Sequence, residues 1–168
     1  MRHLAGLLTM ERFSVLGWLT AGVVGSLAFW LFQVLTTGFT IPQYIGQQVA
    51  ARGGYPIAWA PLIGWVVHLG VSFAYSFLFA ALMALFPTIS SGPRLGIGIM
   101  LVFVLGWVTT LATAPAIAAT VSILSSQGWP TELPGLNTDV DLPLYNHILF
   151  FGVVWVFTTL VPVLRRRN

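Results

Sequence analysis

The sequence predicts an all-α integral membrane protein, a four-helix bundle that forms a single transmembrane domain over residues 1–168. The chain is 57% hydrophobic and 7% charged, whereas about a quarter of the residues of an ordinary soluble domain are charged. Four stretches contain no Asp, Glu, Lys or Arg, and each can hold the roughly 20 apolar residues that cross a bilayer core. These stretches are Phe13–Ala51, Gly53–Pro93, Leu95–Thr131 and Leu142–Leu164.

The transmembrane spans are predicted at about 13–37, 61–86, 95–118 and 143–164. The first is expected to be a retained anchor, because Glu11 and Arg12 interrupt the apolar run that a signal peptide would need. In the third, Pro115 removes one backbone hydrogen bond and is expected to kink or end the span. The segment after it, up to Ser126, is apolar enough to continue as a helix. Pro143 suits the first turn of the last helix.

The arginines predict that both termini are cytoplasmic. With the N-terminus inside, six of the seven arginines are cytoplasmic and Arg52 alone is outside, which agrees with the positive-inside rule. The six are Arg2, Arg12, Arg94 and Arg165–Arg167.

The two outer connections are longer than the inner one. Pro87–Arg94 is a tight inner turn, so the second and third spans are expected to form an antiparallel hairpin. In the first outer connection, Pro42–Arg52 is predicted to be a short amphipathic helix at the membrane interface, ended by Gly53 and Gly54.

Small residues predict where the helices approach each other closely. The first span carries Ala21 with Gly25 and Gly22 with Ser26, and the second carries Gly70 with Ala74. Gln33 in the first span is expected to form hydrogen bonds between helices.

The most informative polar residue is His68, because an ionisable side chain within a span needs a partner or a wet cavity. Ser72 and Ser76 follow at four-residue steps with Tyr75 beside them, so these side chains form one stripe that should face the bundle.

A second histidine is expected in the same outer half of the membrane as His68. His147 follows Pro143 by one helical turn, about 6 Å, and His68 lies roughly 13 Å below Trp59. Asp139 and Asp141 lie above them in the second outer connection. These residues are expected to form a polar cluster in the outer half of the bundle.

Several chemistries are compatible with this cluster. Both histidines can ligate a haem b, or each can ligate a chlorophyll-type pigment. His with Asp can instead relay protons or hold a divalent metal. The simplest interpretation is a neutral histidine bonded to a neighbouring hydroxyl or carbonyl. Trp107 and Trp155, near mid-bilayer, are expected to be packing residues or the edges of a lipid or quinone site.

Other functions lack the residues that they need. The chain has no cysteine, no nucleophile–base–acid set and no phosphate-binding glycine loop, so we do not expect an enzyme. No carboxylate lies within a span, which argues against a proton-coupled transporter or pump. No basic face repeats along a helix, so nucleic acid is not an expected partner.

Several motifs resemble those of the YagU-like family of small bacterial four-helix inner-membrane proteins. They are Ile41-Pro42, Gly53-Gly54, Gly64-Trp65-Val66-Val67-His68-Leu69-Gly70, Ala74-Tyr75-Ser76-Phe77-Leu78-Phe79 and Asp141-Leu142-Pro143-Leu144-Tyr145-Asn146-His147. The resemblance implies a bacterial inner-membrane location and the same four-helix topology, but no established activity. His68 matches the Trp-x-x-His pattern of that family.

The leading functional prediction is a non-catalytic accessory or structural subunit that packs against a larger energy-transducing complex, respiratory or photosynthetic. Its expected partners are membrane lipids and other membrane-protein subunits. One alternative is a haem- or pigment-binding electron-transfer protein that uses His68 and His147. Another is a small channel or acid-stress permeability protein.

Overall fold

All the regular secondary structure in the described part of the chain is helical. The computed structural model describes residues 2–86 and 90–165, and the side chains of 15–86 and 90–163. The helices are α1 (Arg2–Thr36), α2 (Ile41–Gly53), α3 (Ala60–Ala84), α4 (Ser91–Leu124), α5 (Leu142–Trp155) and α6 (Val161–Arg165). A 3₁₀ turn, Ile57–Trp59, leads into α3, and a π-helical segment, Val156–Leu160, joins α5 to α6.

Among the described residues, four segments are long and apolar enough to cross a bilayer, which confirms the predicted four-helix membrane fold and makes the chain a multi-pass membrane protein. They are Val15–Thr36, Ile57–Ala84, Ser91–Leu124 and Leu142–Val163. The helix α1 begins at Arg2, well before the predicted span. Residues 87–89 of the predicted inner turn, and Arg166 and Arg167, lie outside the described residues.

The spans surround a centre and are loosely joined between α3 and α4. α1 lies between α3 and α5, and α5 packs against α4. α3 and α4 follow each other in the chain but make few contacts, so the expected antiparallel hairpin of the second and third spans is splayed rather than closely packed. At one end of the bundle, α2 packs on both α3 and α4. We call this the α2 end, and it also carries the α4–α5 connection, residues 125–141.

The small residues of α1 explain its central place. A Cβ on Gly22 would lie 2.8 Å from the Phe73 ring, and one on Gly25 would lie 2.9 Å from the Phe150 ring. Side chains larger than hydrogen at these positions would therefore push α3 or α5 away. By contrast, a Cβ on Gly70 would meet nothing within 4 Å, so the predicted Gly70–Ala74 contact face is wrong.

The amphipathic helix α2 is present as predicted, with a cap at each end. The Thr40 hydroxyl accepts from the Gln43 N–H at 3.4 Å, and Gly54 ends the helix with φ of +69°. Gln33 Oε1 of α1 accepts from the Ile41 N–H at 2.9 Å, which confirms the hydrogen bond expected between helices. These bonds fix where α2 begins and ends.

α2 crosses α3 so closely that glycine is required on both helices. A Cβ on Gly46 would collide with the Ala60 carbonyl, and one on Gly64 would collide with the Pro42 carbonyl. The backbones themselves are in contact here. The opposite face of α2 exposes Gln43 and Gln47.

Both helix-interior prolines are accommodated without ending their spans. Pro115 cannot donate to the Leu111 carbonyl, and the Asn137 N–H of the α4–α5 connection donates to that carbonyl instead, at 3.1 Å. α4 therefore continues to Leu124. Pro162 likewise cannot donate one turn back, and the preceding segment is π-helical, with the Val161 N–H bonded to the Val156 carbonyl. The sequence predicted a regular helix there.

Candidate functional site

A cavity of about 110 Å³ lies inside the bundle at the α2 end, and we call it the central cavity. Five helices contribute to its wall, with Ile41 and Ile45 of α2 covering it and Phe29 of α1 at its back. Both histidines of the predicted cluster, His68 and His147, line it. The sequence-based prediction that these two residues lie close together at one side of the membrane agrees with this geometry.

His68 faces the bundle because it belongs to a buried stripe along α3. Gly64, His68, Ser72 and Ser76 repeat every four residues and are all buried, as expected for one face of a helix. The His68 Nε2 atom lies 3.3 Å from the Ser26 carbonyl oxygen of α1. A carbonyl oxygen only accepts, so Nε2 carries the proton, and an uncharged ring then has its lone pair on Nδ1.

His147 has the opposite tautomer. Its Nδ1 lies 2.8 Å from the Pro143 carbonyl oxygen, so Nδ1 carries the proton. The Thr110 hydroxyl lies 3.3 Å from the same nitrogen. This hydroxyl donates to the Gly106 carbonyl at 2.7 Å, so it can serve the imidazole as an acceptor. The lone pair of an uncharged His147 is therefore on Nε2.

No carboxylate lines the central cavity among the residues that the structure describes. A charged imidazole there would have no counter-ion, and an unpaired charge is costly at this depth. Both rings are therefore best described as uncharged, and each presents one unprotonated nitrogen that bonds to no described side chain.

Phe29 separates the two imidazoles. Its ring centroid lies 5.3 Å from the centroid of His68 and 5.3 Å from that of His147. Pockets for drug-sized ligands usually occupy about 300–1,000 Å³, and the central cavity is far smaller. A haem b or chlorophyll-type macrocycle held by both histidines does not fit this arrangement.

The central cavity opens sideways where α3 and α4 part. Val71 of α3 and Ala116 of α4 both line it and are both exposed, with Val71 at 42%. Because both residues lie within spans, this opening faces the hydrocarbon of the bilayer. The polar groups inside, besides the histidines, are the hydroxyls of Ser72, Tyr75, Thr113 and Thr120.

A second cavity of about 580 Å³ adjoins the first, and we call it the side cavity. It is bounded by α2, α4, the start of α5 and the α4–α5 connection. Arg52 and Asp141 line it together with Gln48 and Asn137. Thr113 and Ile117 border both cavities.

The remaining predicted residues lie in different places. Ser72 and Tyr75 line the central cavity, and Asp141 lines the side cavity. The Ser76 hydroxyl is buried and donates to the Trp18 carbonyl at 2.6 Å, which ties α3 to α1. Asp139 is exposed. No group of three potential metal ligands occurs among the residues that the structure describes.

The two mid-bilayer tryptophans line neither cavity. Trp107 is exposed on α4. Trp155, at the end of α5, packs against Gly98 of α4. These residues were expected either to pack within the bundle or to form the edge of a lipid or quinone site, and Trp155 packs within the bundle. Trp107 is in a position to contact lipid.

Sequence reasoning missed Phe29 and Thr110. Phe29 is one of twelve phenylalanines, and nothing local distinguishes it. The Thr110 hydroxyl bonds to the preceding turn, as threonines within helices commonly do. Its contact with His147 depends on the pairing of α4 with α5. Neither role has a signal in a single sequence.

Comparison with known proteins adds no relative to this description. No family model, curated protein or solved structure matches the chain. The functional argument therefore depends on the geometry of the two cavities.

Proposed function

We propose that this chain is a non-catalytic membrane protein that binds the small polar head of an amphiphilic molecule in the central cavity. The observation that carries the proposal is the tautomer of the two histidines. Each donates its N–H to a backbone carbonyl, and each keeps an unprotonated nitrogen. Two acceptors in one apolar cavity favour a ligand that donates hydrogen bonds.

This chemistry narrows the expected lipid or quinone contact. The unprotonated nitrogens of the two imidazoles can bond only to a donor, which a quinol, a phenol, an alcohol or an amine brings. The carbonyls of a quinone could bond only to the hydroxyls of the cavity and would leave both imidazole nitrogens unpaired. A polar group that enters such a cavity without a hydrogen bond loses about 1–3 kcal/mol. The ligand class is therefore a hydroxyl- or amine-bearing amphiphile.

The size and opening of the central cavity support the same ligand class. An enclosed apolar cavity of about 150 Å³ accepts a benzene ring. The central cavity has about 110 Å³ and is open on one side, so it suits a head group no larger than a single ring. A hydrocarbon tail attached to that head can leave between Val71 and Ala116 into the bilayer. No water-filled route is needed for the ligand to enter.

The binding test compares two ligands that differ in one donor. The purified protein in detergent is titrated with 4-octylphenol and with 4-octylanisole, its methyl ether, and binding is measured by isothermal calorimetry. We expect the phenol to bind about tenfold more tightly, the value of one hydrogen bond. Equal affinity for the two ligands would contradict the proposal.

A histidine variant locates the binding site. His68→Phe combined with His147→Phe keeps two aromatic rings but removes both acceptors, so the preference for the phenol should fall to about twofold or less. His3→Phe, a change of the same type near the N-terminus, is the matched control and should leave the preference unchanged. Equal losses in both variants would show that binding occurs elsewhere.

We further propose that the protein lies in a bacterial inner membrane with both termini in the cytoplasm. The distribution of the arginines supports this orientation, and the resemblance to the YagU-like family supports the compartment.

A second proposal is the role of accessory subunit in a larger energy-transducing complex. It is favoured by exposed apolar side chains in the α4–α5 connection, outside the four spans. Trp129 is 67% exposed, Leu136 64% and Val140 63%. Exposed apolar groups beyond the hydrocarbon region are typical of protein contact sites, and three of the four acidic residues lie in the same connection.

Native purification in a mild detergent tests this second proposal. The chain should elute with other membrane subunits at fixed stoichiometry, and serine at Trp129, Leu136 and Val140 together should release it. Leu85→Ser, at an exposed site on the opposite end of the bundle, is the control. A chain that always elutes alone or as a homo-oligomer would rule out the accessory role.

A further inference from the structure

We propose that the side cavity binds a zwitterionic head group that carries a phosphate and a primary ammonium, as phosphoethanolamine does. In this arrangement Arg52 binds the phosphate and Asp141 binds the ammonium. The inference is independent of the ligand of the central cavity, because it depends on different residues.

The side cavity contains one charge of each sign. Among its lining residues Arg52 is the one cation and Asp141 the one anion. Arg52 lies in the last turn of α2, and Asp141 precedes the first turn of α5, so the two charges come from separate elements. A guanidinium can bond two phosphate oxygens at once. A ligand with both charges matches this wall better than a simple anion or cation.

The carboxylate of Asp141 has unused hydrogen-bonding capacity. Asp141 occupies the N-cap position of α5, where an aspartate usually accepts a bond from the first turn, yet its side chain makes no such bond. Its Oδ1 atom is buried without a hydrogen-bond partner. A primary ammonium brings three N–H donors, whereas the trimethylammonium of choline brings none. The site should therefore distinguish ethanolamine from choline.

The location of the side cavity favours a lipid as the source of this head group. Asp141 immediately precedes the last span, which begins at Leu142, so the carboxylate lies at the level where lipid head groups lie. Ile117, Ala118 and Val121 of α4 provide an apolar wall that suits the glycerol and the first acyl carbons. A soluble compound with the same head group would use only the charged half of the cavity.

Lipid retention measured by native mass spectrometry tests the inference. The full chain in detergent is incubated with equal concentrations of phosphatidylethanolamine, phosphatidylcholine and phosphatidylglycerol. We expect about tenfold more bound phosphatidylethanolamine than phosphatidylcholine, the effect of one charged hydrogen bond. Equal retention of these two lipids by the wild type would overturn the proposal.

Two variants test the two charges separately. Asp141→Asn should abolish the preference for ethanolamine over choline and raise the retention of phosphatidylglycerol, because the negative charge that repels it is gone. Arg52→Gln should lower the retention of all three phospholipids about tenfold. Arg52 is exposed, so this variant should fold normally.

The controls change the same residue types outside the side cavity. Asp139→Asn lies two residues away in an exposed position, and Arg94→Gln lies at the other end of the bundle. Both should behave as the wild type. If Asp139→Asn lost the preference as fully as Asp141→Asn, or if Arg52→Gln retained all three lipids normally, the assignment would be wrong.

Soluble glycerophosphoethanolamine identifies the source of the head group. If it displaces bound phosphatidylethanolamine only at concentrations at least about a hundredfold higher, the apolar wall contributes and the ligand is a lipid. If it competes at similar concentrations, the same charge recognition holds and the source is a soluble compound. If it fails at every concentration and the preference for ethanolamine over choline is also absent, the inference fails.

Discussion

At the residue scale, the sequence predicts which side chains are polar and buried but not what they contact. His68 and His147 were identified from their costly position within spans and placed at one side of the membrane by helix rise alone. Their partners, the carbonyls of Ser26 and Pro143, could not be predicted in the same way. The Ser26 contact depends on how α1 packs on α3. The Pro143 contact is a bond to the preceding turn of α5, and a single sequence does not specify which ring nitrogen makes it.

Phe29 should limit the size of ligand that the central cavity accepts. Its ring contacts both imidazoles, so Phe29→Ala would enlarge the cavity between them. The wild type should bind 6-octyl-2-naphthol about tenfold more weakly than 4-octylphenol, because overpacking costs about 1–3 kcal/mol.

In Phe29→Ala the difference in affinity between 6-octyl-2-naphthol and 4-octylphenol should shrink to about twofold or disappear, because the space left by the phenyl ring relieves the overpacking. Calorimetric titration with the two ligands measures it. A variant that discriminates as strongly as the wild type would show that Phe29 does not border the bound head group.

At the element scale, hydrophobic length and caps predict the helices well, and local backbone disruption is predicted poorly. The four spans and α2 follow from uncharged length and from Gly53 and Gly54. The effect of Pro115 does not, because α4 continues only when the Asn137 N–H reaches the freed Leu111 carbonyl. The π-helical turn before Pro162 also arises because proline has no N–H to donate. The carbonyl that loses its donor can be accommodated in more than one backbone geometry, so the sequence does not predict which one forms.

The crossing of α2 over α3 should depend on glycine at position 46. Alanine there would bring its Cβ against the Ala60 carbonyl, and such overpacking typically costs about 1–3 kcal/mol. Gly46→Ala should therefore loosen α2, and its amides should exchange with deuterium about tenfold faster or more. Hydrogen–deuterium exchange of the purified protein in detergent measures this directly.

Gly70→Ala is the matched control, because a Cβ at this position meets nothing within 4 Å. Replacing a helical glycine with alanine usually stabilises by about 0.5–1 kcal/mol, so exchange in α2 should be unchanged or slower. Faster exchange in both variants would mean that α2 is not held by the Gly46–Gly64 crossing.

At the scale of the whole molecule, the fold class follows from composition, but the arrangement of the spans does not. A single sequence indicates four apolar helices and a short inner connection, and the natural expectation was a hairpin of neighbours. Instead α3 and α4, neighbours in sequence, make few contacts, while Gly22 of α1 lets α3 pack closely on α1. The resulting gap is what opens the central cavity to the bilayer.

The orientation of the chain in the membrane is predicted by the arginines and can be measured. Alkaline phosphatase, which is active only outside the cytoplasm, should be inactive when fused after Asn168 and active when inserted in the α4–α5 connection after Gly135. Green fluorescent protein fused at the same two sites should give the opposite pattern. Phosphatase activity at the C-terminus would reverse the predicted topology.

The central claim is that His147 presents an unprotonated Nε2 to a ligand with a hydrogen-bond donor. Solid-state NMR of protein with ¹⁵N-labelled histidine in lipid reports which ring nitrogen carries the proton. The claim predicts a protonated Nδ1 and a bare Nε2 for His147, with the Nε2 resonance shifting on addition of 4-octylphenol but not of 4-octylanisole. A protonated Nε2, or an Nε2 resonance that ignores both ligands, would contradict it.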